Sequence, residues 1–76
     1  MGTLDVKHFL RIYRLRKEMQ EEGLTNPSEQ IKKFTSDFVQ KLERLPLNEK
    51  IILKDNSFFD STGNLIIQIP IVKSDE

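Results

Sequence analysis

The chain has 76 residues, enough for one small domain spanning positions 1–76. A chain of that size buries only about 60% of the surface it exposes when unfolded, so it is marginally stable by itself. Charged residues make up 32% and apolar residues 37%, and 12 basic residues are balanced by 12 acidic ones, so no whole-molecule field draws it to nucleic acid or to an anionic membrane; without cysteine, it has neither disulfides nor thiolate metal sites.

Residues Met1 to Asp5 read as a loosely ordered lead-in. The opening stretch lacks a continuous apolar segment, so no secretory signal is expected there. The longest apolar run falls far short of the roughly 20 residues that a membrane span needs. These features predict a soluble protein of the cytoplasm.

A helix is predicted over residues 6–22. Val6, Phe9, Leu10 and Tyr13 recur at intervals of three and four and form one stripe. Ile12, Leu15 and Met19 form a second stripe, rotated well away from the first. Arg14–Glu18 and Lys17–Glu21 have the spacing of ion pairs within a helix, and Gly23 fits the position just past a helix end. A second helix is predicted over 27–44, with Asn26 as cap, Pro27 at the first helical position and Glu29 closing a capping box. Ile31, Phe34, Phe38, Leu42 and Leu45 form its apolar stripe, widened by Val39, and Pro46 ends it. The connection of about three residues suits an antiparallel helix pair.

The densest apolar stretch, Lys50 to Lys73, reads as a β-hairpin with strands over 50–59 and 65–73. Its loop is Asp60-Ser61-Thr62-Gly63-Asn64. Alternation places Leu65, Ile67, Ile69 and Ile71 inward and Ile66, Gln68, Pro70 and Val72 outward. Asp55-Asn56 reads as a bulge that resets the alternation before Phe58, and Pro70 points to a sheet edge. The predicted class is therefore α+β: two antiparallel amphipathic helices packed on one face of a C-terminal β-hairpin, in the order α-α-β-β.

This arrangement leaves apolar surface over. The first helix can direct only one of its stripes at the hairpin, so Ile12, Leu15 and Met19 are expected to form a protein interface, with Arg11 and Arg14 on its polar rim. The expected function is a small, non-catalytic protein–protein interaction module, a regulatory or assembly factor. Its partner is expected to be itself, as a homodimer, or another protein. The alternative is a nucleic-acid-binding regulator using the basic face of the first helix, Lys7, Arg11 and Arg14. A helix pair followed by a β-ribbon resembles the layout of winged DNA-binding modules, but a third helix is missing, Glu18 interrupts the basic face and the net charge is zero.

Other chemistry fits less well. Asp60, Thr62 and Asn64 have the first spacings of a calcium loop, but Leu65 and Ile71 stand where that loop needs Gly and Glu. His8 is the one histidine, and neither a phosphate-binding loop nor a nucleophile elbow is present, so neither an enzyme nor a cofactor is expected. Apolar and basic residues interleave around the first helix, which suits an interfacial membrane helix poorly.

Overall fold

The computed structural model describes residues 3–71. The elements are β1 (Leu4–Asp5), α1 (Val6–Glu21), α2 (Glu29–Glu43), β2 (Lys50–Lys54), β3 (Ser57–Phe59) and β4 (Leu65–Gln68). The class is α+β, with the helices first and most of the sheet after them. The sheet, however, has four antiparallel strands in the order β1-β2-β3-β4, not the two of a single hairpin.

Two features account for the difference. Part of the expected lead-in is strand: Leu4 pairs with Ile51 and Asp5 with Lys50. The expected strand over 50–59 is two strands, because Asp55-Asn56 is a turn and not a bulge. Lys54 pairs with Ser57 across it. Both turn residues have positive φ, 52° at Asp55 and 58° at Asn56, as a two-residue turn between right-twisted strands requires. Asp and Asn bear that conformation better than other residues with a Cβ. The bulge lies further on: Phe58 pairs with Ile67 and Phe59 with Leu65, leaving Ile66 as the extra residue.

That bulge rearranges the faces expected for the last strand. Leu65, expected inside, is 58% exposed, whereas Ile66, expected outside, packs partly against the core with Ile67 and Ile69; Ile71, also expected inside, lies past the end of the strand and is 70% exposed. The last strand ends at Gln68. The strand expected over 65–73 is therefore shorter: residues 69–71 are not strand, and Val72 and Lys73 lie outside the described residues.

Each helix begins where a side-chain oxygen meets its free N–H groups. At α1 the Asp5 carboxylate accepts from the His8 backbone N–H at 3.2 Å, while the Val6 and Lys7 N–H groups donate to the carbonyls of Glu49 (2.9 Å) and Leu47 (3.1 Å). The loop ahead of β2 thus clamps the start of α1. The cap of α2 is Ser28, whose hydroxyl accepts from the Ile31 N–H at 3.3 Å. The expected cap at Asn26 is displaced by two residues, and the expected helix over 27–44 shortens to Glu29–Glu43. Gly23, at φ 78°, ends α1 as expected: its N–H donates to the Gln20 carbonyl and that of Leu24 to the Met19 carbonyl. The connection then runs over residues 22–28, longer than the expected loop.

The helices cover one face of the sheet. Val6 and Leu10 of α1, Phe34, Phe38, Val39 and Leu42 of α2, Ile51 of β2 and Phe58 of β3 form the buried core. Phe38 is its centre. Its ring stacks on Phe58 at 4.5 Å between centroids, meets Tyr13 edge-on at 4.9 Å and lies 5.6 Å from Phe34 and 6.0 Å from Phe9. Each such contact adds about 0.5–1.5 kcal/mol to what area burial provides.

The turn can be tested directly. Asn56→Gly is expected to raise stability by about 0.5–1 kcal/mol, and Asn56→Val to lower it by about 1–2 kcal/mol, because the left-handed conformation suits glycine and disfavours a β-branched residue. Urea midpoints of the two variants check both signs. Truncating the central ring, Phe38→Ala, is expected to cost about 3–5 kcal/mol in the same assay.

Candidate functional site

Helix α1 is apolar on two opposite sides. Val6, with no exposed surface, and Leu10, 3% exposed, face the core. Leu15 stands nine positions after Val6, which at about 100° per residue is half a turn around the helix. It is 57% exposed, Ile12 is 42% exposed, and Met19 is half-buried beside them.

The inner side is fixed by the aromatic rings, so the outer side has no core to enter. An apolar groove of about 470 Å³ runs along it. Ile12, Leu15 and Met19 form one wall; Thr25, Pro27 and Ile31 form the other. The Gly23 turn makes this second wall, since it folds the chain back so that Pro27 and Ile31 face α1. Arg16 borders the groove with its guanidinium 5.2 Å from the centre of the Tyr13 ring. The Gln20 amide, also on the border, donates to the Thr35 hydroxyl at 3.4 Å.

On the other flank of Leu15 lies a second hollow, lined by Lys7, Leu10, Arg11, Arg14, Glu18 and Leu47. The structure therefore brings Lys7, Arg11 and Arg14 together, with Glu18 among them. Leu15 lines both hollows and is the ridge between them. Arg14 does not pair with Glu18 as its spacing suggested. It reaches across to Glu43 of α2, Nη2 to Oε2 at 3.0 Å, and so ties the two helices together. Lys17 and Glu21 do pair within the helix, also at 3.0 Å.

The charges of α1 run against its dipole. Basic Lys7, Arg11, Arg14, Arg16 and Lys17 all precede acidic Glu18 and Glu21, with Glu22 as C-cap; the first turn holds no acid and the last no base. Helix α2 follows the favourable pattern, with Glu29 in its first turn and Lys41 in its last. At the start of α1 only the capping carboxylate of Asp5 answers the dipole. The His8 ring donates to that carboxylate from Nδ1 at 2.6 Å, and this hydrogen bond, first among several contacts, holds the Asp5 carboxyl below the usual carboxylate range.

The loop with the first spacings of a calcium site is self-contained. Asp60 Oδ1 accepts from the Thr62 hydroxyl (2.6 Å), the Thr62 N–H (2.9 Å) and the Asn64 N–H (2.9 Å). This is turn chemistry that uses the carboxylate internally. The loop is anchored by Glu49, which accepts from the Ser61 N–H and hydroxyl at 3.0 and 2.7 Å.

Sequence reasoning missed a second apolar row. Ile52, Phe59 and Leu65 stand in register across β2, β3 and β4, on the sheet face away from the helices. The Asp-Asn turn was the available signal, because it sets Ile52 opposite Phe59 once it is recognised. Among the described residues no helix is long and apolar enough to cross a membrane. Compared with family models, curated proteins and solved structures, the chain matches none.

The Asp5 cap and the Asp60 turn predict an acid limb. The Thr62 hydroxyl and the Asn64 N–H lower the Asp60 carboxyl below 3.8, as His8 lowers that of Asp5. A carboxyl lowered on folding contributes stability that is fully present above its unfolded value and is lost as pH falls through the folded one. Urea midpoints of the wild type and of Asp60→Asn should differ at pH 6 and converge as pH falls below about 3.8. A gap that stays constant over that range would contradict the role given to Asp60.

Proposed function

We propose that this protein is a non-catalytic protein–protein interaction module, a regulatory or assembly factor of the cytoplasm that works as a homo-oligomer. The outward face of α1, made by Ile12, Leu15 and Met19, is its contact surface. One observation carries the reading: α1 is apolar on opposite sides, and among the described residues only one of them is covered. Water on large apolar side chains grouped along a helix is unfavourable, and a partner's surface relieves it.

The surroundings support binding over chemistry. The groove walls are aliphatic apart from Thr25, with Arg16 and Gln20 on the border. Several nearby ionisable groups are paired with one another: His8 with Asp5, Arg14 with Glu43, Lys17 with Glu21. Arg11 remains on the rim, as an interface rim requires. The pairing of Arg14 with Glu43 and the presence of Glu18 in the same hollow weigh against reading Lys7, Arg11 and Arg14 as a phosphate-binding face.

Leu15→Glu tests the reading. The variant is expected to remain at monomer mass by light scattering at concentrations where the wild type exceeds 8.9 kDa, with an unchanged circular dichroism spectrum. Equal masses for the two proteins would remove the face from the account.

A further inference from the structure

We propose that the outward face of α1 is covered by α1 of a second copy, laid antiparallel about a two-fold axis at Leu15, with Arg11 of each copy opposite Glu18 of the other. The proposal rests on the contact surface given above and adds the partner's orientation and register.

The charge order of α1 carries it. Every basic residue of the helix precedes every acidic one. A parallel pair would set basic half against basic half and acidic against acidic. An antiparallel pair sets each basic half against an acidic one and also opposes the two helix dipoles, so the placement that is unfavourable in one copy becomes favourable in two. Helix α2, which has its partner within the chain, carries no such reversal. The zero net charge of the chain adds no general repulsion between copies.

The arrangement around the helix gives the register. At about 100° per residue His8, Leu15 and Glu22 lie along the middle of the outward face, Arg11 and Glu18 along one flank, and Ile12 and Met19 along the other. A two-fold axis through Leu15 brings each flank against the same flank of the copy. Arg11 then meets Glu18 twice on the polar flank. Ile12 meets Met19 twice on the apolar flank, beside Pro27 and Ile31. His8 faces Glu22 at the two ends. The interface is self-complementary, as a symmetric dimer demands.

Charge exchange at exposed positions is the test, read by sedimentation equilibrium with circular dichroism as the control for folding. Arg11→Glu alone and Glu18→Arg alone each place like charges opposite one another and are expected to weaken self-association about tenfold. An equimolar mixture of the two restores both opposite-charge pairs and should recover wild-type affinity, as should the Arg11→Glu/Glu18→Arg double variant. The native chain has no cysteine, so single cysteines give an independent reading. Arg11→Cys and Glu18→Cys should form disulfides when mixed and far fewer when either is alone. A wild type that stays monomeric would overturn the contact surface and this pairing together. A wild-type dimer that ignores both single charge changes, or in which Arg11→Cys links to itself, would overturn the pairing alone.

Discussion

The packing of Phe38 against Phe58 is the contact on which the rest of the structure depends. It joins the middle of α2 to the central hairpin at 4.5 Å between ring centres. Tyr13 and Phe9 bring α1 onto the same two rings, and Phe34 completes the group. A chain this short has few ways to bury enough surface. Gathering nearly all its rings at one point gives three elements a shared core where aliphatic side chains alone would supply less area per residue.

That solution fixes the rotation of α1. With Tyr13 and Phe9 against the rings and Val6 and Leu10 beneath them, the helix cannot turn without dismantling the core. Leu15 is carried to the far side by helix geometry alone. The clamp at the start of the helix, where the loop around Leu47 and Glu49 holds the first N–H groups, sets the same rotation from the other end. The exposed stripe is thus a consequence of the core and not a local irregularity. Its two flanks differ, one apolar and one charged.

Much of this was legible in the sequence, because the strongest signals were periodic. The stripe of Ile31, Phe34, Phe38 and Leu42 needs only the helical repeat, and so do the two stripes of α1. Gly23 was legible because few residues accept its backbone conformation. What escaped depended on partners far away in the chain. Leu4 and Asp5 form a strand only because Ile51 and Lys50 lie beside them. Ser28 displaced Asn26 as cap since both residue types serve and local sequence does not rank them. Arg14 chose Glu43 over Glu18 once the helices were side by side. The sheet faces failed at two points: with the turn at Asp55-Asn56 taken for a bulge, the real bulge at Ile66 could not be located and Leu65 was assigned to the wrong side, and Ile71 was assigned a face although the strand ends at Gln68. The outward stripe on α1, read from helix periodicity, was untouched by that error.

The central claim is that one side of α1 is closed by the chain itself and the other by a second molecule. Methyl relaxation by a soluble gadolinium chelate tests it most directly, measured from dilute to concentrated protein. Val6 and Leu10 should be shielded throughout, Leu65 exposed throughout, and Ile12 and Leu15 exposed when dilute but shielded when concentrated, with Met19 going from half-shielded to shielded. Methyls of Leu15 that remain as accessible as those of Leu65 at every concentration would contradict the account.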